Sequence, residues 1–309
     1  MLAVNIWFWV GFIGFVLAML ALDLGVFHRR PHEVKPREAG IWVAVWVALA
    51  LCFAAGLYLW AGRETALTFL AGYVIEEALS ADNIFVMVLI FEYFRVPKHC
   101  QHRVLYYGIL GALVMRGLFI AAGSALVSTF SWVLYVFGAL LVVTGIRMAI
   151  KGDEEFDGEQ NRIVKLVRRY LPLSSQYHDK KFFTIEGARR VATPLLLVLI
   201  LVEFTDLIFA IDSIPAIFGV TRDPFLVFTS NIFAVMGLRS LYFLLAAVVD
   251  RFHLLKYGLA VILTFVGLKM LTEHWIQIDI TMSLAIILGV LTISIVASLV
   301  WPARKGAEG

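Results

Sequence analysis

Residues 198–220, VLILVEFTDLIFAIDSIPAIFGV, set Glu203, Asp206 and Asp212 inside an apolar run long enough to cross a bilayer. A carboxylate at the centre of a membrane helix costs ~2.5 to 3.5 kcal/mol on insertion scales, so three of them call for a cationic partner. Residues 72–94, GYVIEEALSADNIFVMVLIFEYF, repeat the pattern with Glu76, Glu77, Asp82 and Asn83. Glu76 and Asp82 are six residues apart, as are Asp206 and Asp212. Two acidic membrane helices with matched spacing read as two halves of one site. Together with Ser80, Ser213 and Asn231 they offer hard oxygen donors and no thiolate, a set suited to Mn²⁺, Mg²⁺ or Ca²⁺ rather than Cu(I) or Zn²⁺. All seven histidines, His28, His99, His178 and His274 among them, fall at span ends or in loops, so neither a haem nor a histidine-rich zinc centre is expected.

Helical geometry constrains how these acids meet. At 100° per residue Glu76, Ser80 and Asn83 share a face, but Asp82 lies about 120° from Glu76. The carboxylates converge only if the helix unwinds locally, or else Asp82 faces a different neighbour. Pro215 supplies a reason for unwinding in the second run, because it cannot donate to the carbonyl of Ile211. The first run has Phe85 at the matching place.

Charge balance brings in Arg116 and Arg239, both inside apolar runs. Six acids (Glu76, Glu77, Asp82, Glu203, Asp206, Asp212) against two guanidiniums leave a formal charge of about −4, which a divalent ion would halve. Crowded, desolvated carboxylates also gain affinity for protons, so exchange of H⁺ for a metal is physically natural there. The arginines are expected to clamp acids when the site is empty rather than to touch a cation. A purely structural ion pair is the plainer alternative, but two arginines cannot neutralise six acids.

The elements that position these residues follow from composition. Of 309 residues 61% are hydrophobic and 16% charged, with a mean hydropathy of +0.88, as in a polytopic membrane protein. The net charge of +3 does not point to nucleic acid. Cys52, in an apolar run, and Cys100, in a basic loop, suggest neither a disulfide framework nor a thiolate site. Nine apolar runs read as an all-α set of transmembrane helices: 5–27, 41–60, 66–93, 104–127, 131–150, 193–217, 224–248, 255–272 and 280–301. The first is expected to be a retained span rather than a signal peptide, since no Lys or Arg precedes Arg29 and the run carries Asp23. Asp23 and Glu92 are read as interfacial, with Asp23 a further candidate for the site.

Orientation follows from the basic residues. Segments 28–40, 94–103, 151–192, 249–256 and the C-terminus hold twenty of the 26 Lys and Arg, whereas the N-terminus and the other connections hold only Arg63 and Arg222. Nine spans with the N-terminus outside and the C-terminus inside satisfy that bias throughout. In the long loop, RIVKLVRRYL has the spacing of a helix lying on the inner surface.

The chain also repeats itself. Asp82 is followed by Arg116 and then TGIRM at 144–148, while Asp212 is followed by Arg239 and then VGLKM at 266–270. Arg116 to Gly145 is 29 residues and Arg239 to Gly267 is 28. Three spans per unit is an odd number, so consecutive units enter the membrane in opposite senses, as in inverted-repeat transporters with a mid-membrane site. The organisation expected is two N-terminal spans (1–65), a first unit (66–150), a cytoplasmic loop (151–192), a second unit (193–272), and a last span with its tail (273–309). Gly108, Gly111 and Gly123 are expected to let helices approach closely.

EEALSADNIFV at 76–86, VEFTDLIFAIDSIPAIFGVTRDPF at 202–225, FTSNIFAVMGLRSLYF at 228–243 and LDLGVFHR at 22–29 resemble the TerC family of integral membrane proteins, including its Alx branch. The resemblance implies manganese export from the bacterial cytoplasm across the inner membrane, within a wider group of inverted-repeat exporters. Carried over by position, the family's acidic motif residues are Glu76, Asp82, Asn83, Glu203, Asp206 and Asp212, the expected metal ligands; the residue reading adds Asp23, Glu77, Ser80, Arg116, Ser213, Asn231 and Arg239 as expected supporting or charge-balancing groups. The tellurite resistance behind the family's name is not explained by an oxygen-rich site. Moving a divalent cation outward against 100 mV costs roughly 4.6 kcal/mol, so export needs a driving ion, and protons are the expected one. No enzymatic activity is expected of such a transporter, and two rival readings stand beside it. One is a membrane factor supplying Mn²⁺ to secreted metalloenzymes through a protein partner. The other is an intramembrane aspartyl hydrolase using Asp206 and Asp212, or Asp82 and Asp212.

Overall fold

The computed structural model describes residues 5–25, 36–150, 161–174, 176–186, 189–246, 248, 252 and 254–301. Nine helices of 18 to 32 residues dominate the described part, and each overlaps one predicted span. They are α1 (Ile6–Gly25), α2 (Pro36–Ala61), α3 (Arg63–Tyr93), α4 (Lys98–Thr129), α5 (Val133–Ile150), α7 (Pro194–Phe218), α8 (Pro224–Leu245), α9 (Leu255–Thr272) and α10 (Ile280–Val300). Seven are long and apolar enough to cross a membrane by length and composition. The others are α1, with a shorter apolar stretch, and α3, which carries five acids along its length. The chain is an all-α polytopic membrane protein. α2 and α4 begin ahead of their apolar runs, at Pro36 and Lys98, because a first helical turn can be polar where it leaves the hydrocarbon.

Between α5 and α7 lies the short basic helix α6 (Arg162–Tyr170), where a surface helix was expected, and a two-stranded hairpin of β1 (Phe183–Glu186) and β2 (Arg189–Ala192). The hairpin was not read from the sequence, because FTIE and RRVA are short and interrupt a charged loop. The expected loop helix starts where Asn161 caps it, its side chain accepting from the amides of Ile163 and Val164.

Local chemistry sets the helix limits. α7 and α8 each start with proline at the first turn, where a missing N–H costs nothing. Asp223 caps α8 by accepting from the amides of Phe225 and Leu226 at 3.0 and 3.3 Å. The expected unwinding at Pro215 does not occur. α7 stays helical to Phe218, since a proline one turn from the end gives up little of the ladder.

α8 is buried on almost every side, and it packs against α2, α3 and α4. Around it α3 pairs with α8, α4 with α7 and α5 with α9. Contacts give the directions. α3 and α7 run antiparallel, with Gly72 against Ile217 near one end and Asn83 bonded to Asp206 further along. α4 and α7 run parallel, Gly108 meeting Val202, Arg116 meeting Asp206 and Gly123 meeting Phe218. α5 and α9 run antiparallel and very close: a Cβ on Gly267 would lie 2.6 Å from Gly138 O, and one on Gly145 would lie 2.7 Å from Ala260 O. Only hydrogen fits at those two points. An aromatic cluster that includes Phe12, Phe53, Phe69, Phe225 and Phe233 fills the space between α1, α2, α3 and α8.

Candidate functional site

Glu76 and Asn83 share one face of α3, as the helical spacing requires, and that face meets α4 and α7. Arg116 of α4 reaches into the same place. It is 1% exposed, beside Glu76 at 0% and Asp206 at 2%. Its Nε and Nη2 donate to the two carboxylate oxygens of Asp206 at 3.2 and 2.8 Å, the fork geometry that suits a guanidinium. Its Nη1 is paired with Glu76. Asn83 Nδ2 donates to Asp206 Oδ1 at 2.9 Å. Three helices therefore contribute to one buried network, and Arg116 of α4 ties α3 to α7.

Glu203 stands one turn before Asp206 on α7. Its carboxylate lies against Gly111 of α4, filling the space a side chain there would occupy. The expected packing role of Gly111 is thus also a role in seating an acid.

The remaining acids go elsewhere. Asp212 is half-buried and accepts a hydrogen bond from Thr144 Oγ1 of α5 at 3.0 Å. Glu77 accepts from Tyr73 Oη at 2.7 Å and lies against Gly237 of α8. Asp82 is half-buried on α3, and Arg239 is 6% exposed on α8; both have partners. Asp23 falls within α1, but its side chain is outside the described residues. The six acids are therefore not gathered at one point. Unbroken helices explain this: residues six apart lie about 120° apart, so Asp82 and Asp212 point away from the face that carries Glu76 and Asp206. Thr144 was not singled out, although it stands next to Gly145 inside the repeated TGIRM element.

Neutral donors complete the interior. Ser80, Ser213 and Asn231 are each at most 1% exposed. Ser80 Oγ, Ser213 Oγ, Asn83 Oδ1 and both amide atoms of Asn231 are buried without a hydrogen-bond partner among the described residues. Buried polar atoms are satisfied in the great majority of cases, so such a group of orphans marks a polar interior with unused capacity. Among the described residues no three His, Cys, Asp or Glu side chains lie close enough to hold a metal ion. The Arg116 guanidinium lies between Glu76 and Asp206.

A polytopic helical bundle with acids and arginine buried at its centre defines an integral membrane protein with a polar core. The family model "Integral membrane protein TerC family" matches residues 61–306, and the chain belongs to the TerC family. It is 51% identical over 292 residues to an uncharacterized membrane protein of Myxococcus xanthus, covering 94% of this chain and 92% of that one. It is 48% identical over 297 residues to the "Putative membrane-bound redox modulator Alx" of Salmonella typhi, and 47% identical over 297 residues to the protein of that name in Escherichia coli K12. These alignments cover 93% of this chain and 92% of each relative. No solved structure matches the chain.

Proposed function

We propose that this chain is a secondary transporter that exports a divalent metal cation, Mn²⁺ in the first place, from the bacterial cytoplasm in exchange for protons. The observation that carries the reading is Arg116 held between Glu76 and Asp206, one acid from each unit, at the centre of the bundle. A guanidinium on two buried carboxylates gives a site that keeps its charge nearly balanced while no metal is bound. A divalent ion taking the same carboxylates displaces it, and the orphaned oxygens of Ser80, Asn83 and Ser213, on the helix faces that carry Glu76 and Asp206, would supply further oxygen ligands. The surplus acids Glu203, Asp212 and Asp82 supply positions for the proton that returns.

The helix directions support an inverted repeat. α3 and α7 are antiparallel, as are α5 and α9, and the pairing of α3 with α8 mirrors that of α4 with α7. The α5–α9 crossing is itself reciprocal, because Gly138 meets Gly267 while Gly145 meets Ala260, and the repeat aligns Gly145 with Gly267. With the bias of Lys and Arg, this favours an inner-membrane protein with its N-terminus outside and its C-terminus inside. The units at 66–150 and 193–272 then rock against each other around the Arg116 network.

The hydrolase reading that pairs Asp206 with Asp212 is disfavoured, because the oxygens of Asp206 are committed to Arg116 and Asn83. Cys52 and Cys100 are not joined by a disulfide. The test is manganese tolerance in cells that depend on this chain for export. Asp212→Asn is expected to abolish tolerance and raise cellular manganese, and unchanged manganese in that variant would refute the reading. A factor that only supplies Mn²⁺ to secreted enzymes would lose enzyme loading while cell manganese stayed constant.

A further inference from the structure

A second feature lies far from the acids, at the membrane end where α3 stops and α7 starts. A crevice of about 740 Å³ opens there between the end of α3, helix α6 and the following loop. Its polar wall includes Arg95 and Arg168, and its apolar wall includes Leu171, Pro172, Leu173 and Leu197. Tyr177 Oη donates to Phe94 O at 2.8 Å and pins the loop against the end of α3. Burial pushes the Tyr177 phenol up to about 12, so this donor keeps its proton.

Arg95 occupies an unusual position. α3 ends with the amide of Val96 bonded to Phe91 O at 2.9 Å, which places Arg95 in the left-handed region at φ 49°. That is the helix-stop geometry in which glycine is the ordinary residue, because a Cβ is disfavoured there. An arginine kept at a glycine position argues that its side chain is wanted. Neither Arg95 nor Arg168 has a carboxylate partner among the described residues. On α6 the buried face (Val164, Val167) packs inward, while Leu166 and Tyr170, 56% and 72% exposed, stand beside Arg162, Lys165 and Arg169. A basic helix with an outward apolar strip is built to lie in a lipid headgroup layer.

We propose that this crevice binds the headgroup of an anionic phospholipid, its phosphate held by Arg95 and Arg168 and its glycerol and upper acyl chain against the leucine and proline wall. Charge complementarity selects the occupant: two guanidiniums without a carboxylate partner among the described residues line a slot that is apolar along its other side, which fits an anionic amphiphile better than a free anion or a zwitterion. The proposal is independent of the transport reading.

The test uses the full chain in detergent, with native mass spectrometry counting bound phosphatidylglycerol, phosphatidylcholine or, as the free anion, glycerol phosphate. The expected result is retention of phosphatidylglycerol over phosphatidylcholine, falling about fivefold with Arg168→Gln and about fivefold again with Arg95→Gly added. Arg95→Gly is the decisive variant, since glycine suits the backbone there and the unfolding midpoint without lipid is expected to hold or rise. Equal retention in wild type and variants would overturn the proposal, as would a lowered midpoint in Arg95→Gly, which would make the arginine structural. Glycerol phosphate bound as tightly as the whole lipid would overturn the lipid assignment. Retention that appears only after the five acids of residues 153–159 are replaced by amides would give the arginines to that segment instead.

Discussion

Removing Arg116 should turn the site from self-neutralised to metal-hungry. In Arg116→Gln, Glu76 and Asp206 stay buried at 0% and 2% exposure while losing the cation between them, and only Asn83 still donates to Asp206. Breaking a buried pair from one side costs about 3–5 kcal/mol. For a chain of this size that corresponds to a fall in unfolding midpoint of roughly 10 °C. A divalent ion then becomes the group that restores charge balance, and at a hundred times its Kd it returns about 2.7 kcal/mol. The assay is thermal unfolding of purified protein followed by tryptophan fluorescence across a Mn²⁺ titration. Wild type should gain little, because Mn²⁺ must first displace the guanidinium, whereas Arg116→Gln should regain more than half of its lost stability. Adding Glu76→Gln and Asp206→Asn to Arg116→Gln should restore the midpoint without metal and abolish the response to it. A variant as stable as wild type, or one that Mn²⁺ stabilises no more than wild type, would refute the reasoning.

Other consequences follow from single contacts. Asn83→Leu deletes a buried hydrogen bond to a charged acceptor and should cost about 1.5–3 kcal/mol in denaturant unfolding. Gly267→Ala forces a methyl against Gly138 O at the α5–α9 crossing, and overpacking of about 1–3 kcal/mol should appear as a lower midpoint. Asp223→Ala removes the cap of α8 and should cost about 1 kcal/mol with no change in metal response. Thr144→Val removes the hydroxyl that donates to Asp212, and should alter the manganese dependence of transport while leaving stability within about 0.5 kcal/mol of wild type.

Much of this was legible in the sequence, because lipid imposes a simple code. Apolar runs near 20 residues gave the nine helices, and the cost of charge in hydrocarbon drew attention to Glu76, Asp206 and Arg116 before any geometry was known. The partition of the acids was only half legible. Spacing along α3 put Asp82 on another face from Glu76, but it could not say whether a proline-bearing helix would unwind to bring Asp212 back. Pro215 lies too near the end of α7 to do so. Partners across helices were hidden altogether, since the match of Thr144 with Asp212 or Glu203 with Gly111 depends on how α5 and α4 lie against α7. The hairpin in the 151–192 loop was lost among charges that carry no clear period, and residues 151–160 of that loop lie outside the described residues.

The measurement that bears most directly on the central claim is manganese flux in proteoliposomes carrying purified protein, with an internal pH dye reporting protons. An acidic lumen should drive Mn²⁺ inward with matching loss of luminal protons, and Asp206→Asn should abolish both. Mn²⁺ flux that ignores the pH gradient, or that persists in Asp206→Asn, would contradict a proton-coupled exporter built on the Glu76–Arg116–Asp206 network.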